Sequence, residues 1–444
     1  MLLNELRDFL VGRIWLRSHL PFPKEVVDAA IEQGRVEVVK GITDRGECCR
    51  CLETSQDKIV SFYCSKCSKV CRYCRNCIQM GRVSSCSELV LWSDSPPPPQ
   101  SIHSFAWKGE LTVSQQTASS AIIRSLSLRQ SHLVYAVCGA GKTELLFPVI
   151  FDELQRGHRI CIAAPRVDVI LELAPRIQSA FPETLLHVLY GDSPQETGFA
   201  TIVLATTHQL FRFQSAFDVL IVDEADAFPY SMDLSLERAV GKSIKGDSPI
   251  VYVTATPSRK LLRKTPNRSE IFQRFHGHPL PVPQFASLWN YEKALLKNRL
   301  PEKLKAWTKS KLEKKEPFLI FLPTIELISL AIPLFKELHP GIEAVHASDD
   351  NRKEKIMALR NKEVPGVLTS TILERGITIQ NVQVAVVGAD HPVFTASALI
   401  QIAGRVGRAS EFPDGDVIYF HNGKTLQMDQ ARREIKGYNR QGGE

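Results

Sequence analysis

Short, almost uninterrupted apolar runs, each followed by a helical pattern, recur through the chain: LVYAV (133–137), RICIAA (159–164), TIVLATT (201–207), DVLIVD (218–223) and PIVYVTAT (249–256). A strand apolar on both faces must be covered on both faces, and strands spaced by helices run parallel. A second set repeats the pattern: PFLIFLP (317–323), GIEAVHA (341–347), PGVLTST (365–371), VQVAVVG (382–388) and GDVIYF (415–420). Two successive α/β units with buried parallel sheets are expected. Between them, residues 272–311 carry no such run and are rich in Pro and Lys, which reads as an interdomain link.

Upstream the composition changes. Nine of the eleven cysteines fall between Cys48 and Cys86. The first twenty residues interleave Glu5, Arg7, Asp8, Arg13 and Arg17 with apolar ones, which no secretory signal does, so a reducing, cytoplasmic setting is expected. Dense CxxC pairs there read as thiolate metal ligands, and zinc takes four in a tetrahedron. Cys48/Cys51 with Cys64/Cys67 makes a zinc ribbon, and Cys48/Cys51 with Cys74/Cys77 does equally well; spacing does not choose. Prolines at 96–99 can neither continue a helix nor donate to a sheet, so a domain boundary is placed there. On that view ATP-site chemistry beyond the break survives loss of the metal. The net charge of +7 mildly favours a polyanionic partner. From Lys58 to Arg82 there are six basic residues, no acidic one, and Phe62 and Tyr73 between them, a mixture that suits single-stranded DNA.

LVYAVCGAGKT (133–143) is a strand, a glycine-containing turn and a helix start, which is the context of a P-loop. Backbone N–H groups around Gly139, Ala140 and Gly141 can wrap a phosphate, Lys142 reaches the β and γ phosphates, and Thr143 can hold Mg²⁺. Ala136 stands where GxxxxGK[ST] has its first glycine. Further on, DVLIVDEADAF ends an apolar strand with Asp223 and Glu224, where a parallel sheet presents its ligands. Asp223 is assigned to Mg²⁺ and Glu224 to the attacking water, with ATP as the substrate. In TASALIQIAGRVGR (395–408), three- and four-residue spacing puts Gln401, Arg405 and Arg408 on one helical face, from which a guanidinium can meet a γ-phosphate.

DEAD followed by TATP (254–257), STILERGIT (370–378) and QIAGRVGR (401–408) resembles a superfamily 2 helicase core. The resemblance implies two tandem RecA-like domains, an adenine-reading glutamine at Gln115 or its neighbour Gln116, and coupling through Thr254 and Thr256. It also implies contacts to a single strand from Arg166, Thr207, His208, Thr324, Thr369 and Thr371. Phe105 and Trp107 fit either adenine stacking or core packing.

A narrower likeness rests on longer strings: C-x-R-C, YCRNCIQMGRV, APRVDVILEL, ATTHQL, AFDVLIVDEADAFPY, RFHGHPL and FHNGK. Together they resemble the ComFA late-competence proteins. That resemblance selects Cys48, Cys51, Cys74 and Cys77 as the Zn²⁺ ligands and leaves Cys64, Cys67 and Cys71 over, which puts a second metal or a different pairing in play. It implies an ATP-driven single-stranded-DNA translocase of natural transformation at the inner face of the cytoplasmic membrane. Its implied partners are the membrane DNA channel, a ComFC-like protein and single-strand-processing proteins, with self-association left open. The expected domains are residues 1–98 with the zinc module, 99–283 with P-loop, DEAD and TATP, and 284–444 with the arginine motif. Two other readings share these features: a replication-restart type helicase, and a zinc-containing DNA adaptor in which ATP acts as a switch.

Overall fold

The computed structural model describes the chain except residues 95, 98–101, 192, 195–197, 347, 348, 350, 375–378 and 444. The expected boundary between residues 98 and 99, and the end of STILERGIT, lie outside the described residues. Two compact units emerge: residues 1–135 with 143–269, and residues 136–142 with 270–444.

In the first unit the apolar runs form a seven-stranded sheet in the order Arg268–Ile271, His132–Ala136, Ile250–Thr254, Val219–Asp223, Ile160–Ala164, Ile202–Thr206, Leu186–Leu189. The last six strands pair in parallel. All five residues of Ile160–Ala164, Ile202–Thr206 and Ile250–Thr254 are buried, as helix-covered strands require. Phe105 stacks on Phe151 at 5.1 Å and on Phe181 at 5.6 Å, and Trp107 meets Phe147 edge-on at 5.5 Å. Both rings pack on aromatic neighbours while remaining half-buried.

The second unit carries six parallel strands in the order Gln284–Ser287, Val417–His421, Gln383–Val387, Phe318–Phe321, Gly366–Thr369, Glu343–Val345. Residues 272–311 are therefore not a bare link. They hold the edge strand Gln284–Ser287 and the helices Tyr291–Leu296 and Glu302–Glu313. An edge strand is half solvated, so QFAS shows no apolar run to announce it.

The N-terminal region has two parts. Helices Leu2–Leu10 and Lys24–Glu32 bury Leu6, Phe9, Leu10, Val27 and Ala30 against an antiparallel sheet of Ile14–Leu16, Glu88–Trp92 and Val36–Lys40. The cysteine-rich part is built on the antiparallel hairpin Ile59–Cys64 and Lys69–Cys74. Neither part stands apart from the seven-stranded sheet: Cys48, Cys51, Cys74 and Cys77 share one core with Leu133, Cys161, Val203, Phe211, Phe213 and Leu220. That core draws on residues from both 14–89 and 133–252. Gly12 lies where the two regions meet, at φ +70°, and a Cβ there would sit 2.6 Å from that of Ala216. Ala216 has no longer side chain to swing away, so Gly12→Ala should lower the stability of the first unit by about 2–4 kcal/mol in urea denaturation. A change below about 0.5 kcal/mol, the range of a neutral surface substitution, would contradict this close approach.

Candidate nucleotide site and thiolate centre

The strand His132–Ala136 runs into a loop whose Gly139 and Gly141 hold φ +83° and +70°, conformations that cost a side-chain-bearing residue and not glycine. Helix Lys142–Gln155 begins immediately after, so its unpaired N–H groups face the loop. This geometry fits a phosphate. Arg274 of RFHGHPL, fully buried, lies along Gly139, and Phe275 N–H donates to the Gly139 carbonyl at 2.9 Å. Burial lowers the Arg274 pKa to about 10, still well above neutrality. RFHGHPL entered the sequence reading only as a likeness, and no local pattern around Arg274 marks it as the loop's support.

Asp223 ends its strand as expected, two strands over in the same parallel sheet and at the same carboxyl edge. Glu224 turns sharply at φ +51° and its N–H donates to Asp223 Oδ1 at 2.8 Å. Asp226 was not singled out from the sequence. It accepts from the Thr254 hydroxyl at 2.5 Å and the Thr256 hydroxyl at 2.6 Å, and Thr256 N–H donates to Thr254 Oγ1 at 3.1 Å. The DEAD turn and TATP are thereby one hydrogen-bonded piece. Mg²⁺ would be held by Asp223 and Thr143. Gln115 lies at the third position of helix Val113–Ser127, where its side chain accepts from Thr112 N–H at 2.8 Å in a capping box. Its Oε1 therefore already serves the helix end.

In the second unit the arginines are not on a helix. The helix Ala396–Ala403 stops at Gly404, and Gly407 adopts φ +70°. Arg405 and Arg408 occupy the turns that follow, which corrects the one-face expectation: glycines at 404 and 407 end the helix before the spacing can apply. Arg405 Nε donates to the Glu374 carbonyl at 3.0 Å and Arg408 Nε to the Gly404 carbonyl at 3.0 Å. Arg274 donates to the carbonyls of Val406, at 2.8 Å, and Gly407. Gln401, on the helix, accepts from the Cys138 thiol at 2.9 Å.

The residues assigned to a single strand lie at strand ends. Arg166 caps helix Val167–Ala180 and pairs with Asp168 at 3.3 Å. His208 is half-buried, which lowers its pKa, and Thr324 accepts from Leu327 N–H as the cap of Ile325–Lys336. Thr371 opens a short turn, half-buried. Thr207 and Thr369 are wholly buried, so here neither side chain presents its hydroxyl to solvent.

The Sγ atoms of Cys48, Cys51, Cys74 and Cys77 lie within 4.8 Å of one another. Cys48–Cys77 is 3.8 Å and Cys51–Cys74 3.4 Å, close to the edge of roughly 3.8 Å that a tetrahedron with 2.3 Å zinc–sulfur bonds requires. The donor set fits a zinc ion. Buried Arg50 donates through Nε to Cys77 Sγ at 3.3 Å and through its Nη groups to the carbonyls of Cys77, Met80 and Gly81. The neighbouring thiols Cys48, Cys51 and Cys74, aided by the Arg50 charge, hold the Cys77 thiol well below its usual range. Glu53 accepts from Asn76 at 2.9 Å and from Arg238 at 2.8 Å, and Lys242 donates to the carbonyls of Arg50 and Phe211. Burial lowers Lys242 to about 8. Arg238 and Lys242 lie on helix Leu234–Ser243 of the seven-stranded sheet's unit, so the thiolate centre is bolted to it. On the cysteine hairpin, Phe62 meets Tyr73 edge-on at 5.5 Å, with Arg82 over the Phe62 ring at 4.8 Å.

Residues 2–91 match the competence protein ComFA N-terminal domain, 112–264 the DEAD/DEAH box helicase domain, and 299–410 the helicase conserved C-terminal domain. The competence protein ComFA of Bacillus subtilis is 42% identical over 443 residues, covering 98% of this chain and 95% of that protein. The competence protein ComFA of Streptococcus pneumoniae is 37% identical, covering 89% and 91%. Among solved structures, S. cerevisiae Dbp5 bound to RNA and ADP BeF3 shares the fold at 17% identity and TM-score 0.56, over 74% of this chain and 88% of that one. No described helix is long and apolar enough to cross a membrane. With the match extending over nearly the whole of both chains, and both helicase domains in sequence order, the chain belongs to the ComFA family of competence proteins and is a helicase-superfamily ATPase.

Proposed function

We propose that this ATPase is driven by DNA, and that it tracks along single-stranded DNA to help draw transforming DNA into the cytoplasm, acting at the inner face of the membrane beside the DNA channel. The observation that carries the reading is the similarity, 42% and 37% identical over most of both chains, to two competence proteins in a chain that also holds both helicase halves. In this reading Lys142 and Thr143 bind ATP·Mg²⁺ with Asp223, Glu224 orients the water, and Gln401, Arg405 and Arg408 respond to the γ-phosphate. Asp226 passes nucleotide state to Thr254 and Thr256. Arg166, His208, Thr324 and Thr371 meet the sugar–phosphate backbone, and so do the main chains at Thr207 and Thr369; such contacts carry no sequence information. Zn²⁺ on Cys48, Cys51, Cys74 and Cys77 keeps the cationic hairpin in shape.

Single-stranded DNA should therefore raise ATP turnover more than blunt duplex or RNA of the same length, with little dependence on base sequence. Affinity should fall with salt by about 0.7 in log–log slope for each phosphate neutralised. Turnover and binding measured across a salt series check both. Equal stimulation by RNA would overturn the DNA assignment. Failure to displace streptavidin from the end of a biotinylated single strand, with stimulation intact, would overturn translocation.

A further inference from the structure

Cys64, Cys67 and Cys71, left over by the family's ligand set, converge with Cys86 as tightly as the set itself. The Sγ atoms of Cys64, Cys67, Cys71 and Cys86 all lie within 4.8 Å of one another, and Cys64–Cys86 is 3.8 Å, again the edge of a tetrahedron of thiolates around zinc at about 2.3 Å. We propose that these four cysteines form a second structural zinc site.

The backbone builds the site without help from the thiols. Cys64 ends the first strand of the hairpin, and the turn after it is closed by Cys67 N–H and Ser68 N–H donating to the Cys64 carbonyl, at 3.3 and 2.8 Å. Cys71 follows on the return strand. Residues 83–85 then run beside that strand: Cys74 N–H donates to the Val83 carbonyl and Ser85 N–H to the Arg72 carbonyl, each at 2.9 Å, with Tyr73 opposite Ser84. This pairing carries Cys86 to the other three, where Ser84 Oγ lies 3.3 Å from its sulfur. Cys64 and Cys71 are buried and Cys67 and Cys86 half-buried, so the sulfurs are screened yet reachable by an incoming ion.

Charge argues the same way. Four thiolates around Zn²⁺ leave a net charge of −2, and the segment between Cys64 and Cys86 carries Lys66, Lys69, Arg72, Arg75 and Arg82 with no acidic residue. Lys66 and Arg82 line the same groove as Cys64 and Cys86. Soft thiolates in a tetrahedron select zinc over oxygen-preferring cations. Along the chain the ligands interleave: 48 and 51 to the first centre, 64, 67 and 71 to the second, 74 and 77 to the first, 86 to the second. The hairpin is thus fixed at its base by one ion and at its tip by the other.

The test is native mass spectrometry of the full chain purified without added chelator, with elemental analysis of the same sample. Two zinc equivalents per chain are expected in the wild type, a measurement that needs no variant. Cys64→Ser and Cys86→Ser should each retain one. One equivalent in the wild type, unchanged in both variants, would overturn the proposal while leaving the first centre intact. Loss of the metal in Cys74→Ser alone would mean the same. A Cys64–Cys86 disulfide in reduced, freshly purified protein, or iron in place of zinc, would also overturn it.

Discussion

Lys142→Ala is expected to abolish ATP hydrolysis together with nucleotide binding, whereas Glu224→Gln should keep the nucleotide bound and lose about 10²–10⁴-fold in turnover, the range of a positioned general base. The difference follows from where each group stands. Lys142 opens the helix that follows two left-handed glycines, so its charge and the helix N-terminus address the same phosphates. Glu224 sits beyond the end of the Asp223 strand, held by its own turn, and the amide isostere preserves shape while removing the carboxylate that the proposed role requires. Arg405→Ala and Arg408→Ala should lower turnover by on the order of 10³–10⁵ with a modest change in ATP affinity, as groups acting on transition-state charge do. Phosphate release and fluorescent-nucleotide binding separate the cases. Substantial hydrolysis by Glu224→Gln would remove that residue from the chemistry.

How far the sequence carries depends on which physical signal each residue leaves. Strands covered on both faces leave long apolar runs, and every run read from residue 133 onward is a strand of one of the two sheets. Strands Leu186–Leu189, Arg268–Ile271 and Gln284–Ser287 were not read, because each lies at or next to a sheet edge and alternates with solvent. At the candidate nucleotide site, glycine turns and carboxylates at strand ends are local, so the strand–turn–helix of LVYAVCGAGKT and the strand-end position of DEAD were legible as geometry. Asp226 and Arg274 were not, since their roles come from partners 28 to 133 positions away. Helical spacing misled at Arg405 and Arg408 because it assumes the helix continues, and Gly404 ends it.

The core shared by the cysteine module and the seven-stranded sheet sets the size of the last expected effect. An independent module would come off without cost to the rest of the chain; a shared core predicts a cost. Cys48, Cys51, Cys74 and Cys77 are buried in the core that also holds strand residues Leu133, Cys161 and Leu220. Arg50 and Glu53, beside the thiolates, receive Lys242 and Arg238 from helix Leu234–Ser243. Cys74→Ser leaves three thiolates and a buried hydroxyl. Binding of a structural zinc is worth about 10–16 kcal/mol in zinc-finger peptides, against a total stability of about 5–15 kcal/mol for a domain. Even a third of that lost would bring the first unit close to unfolding. Cys74→Ser, or stripping with a strong chelator, should therefore lower the melting temperature of the first unit as a whole. It should speed amide exchange in strands Val219–Asp223 and Ile250–Thr254, and reduce basal ATP turnover along with DNA binding. Slow exchange retained in those strands, with full basal turnover in the metal-free protein, would mean that the core shared by the module and the sheet transmits nothing, and that the module is an independent reader of DNA.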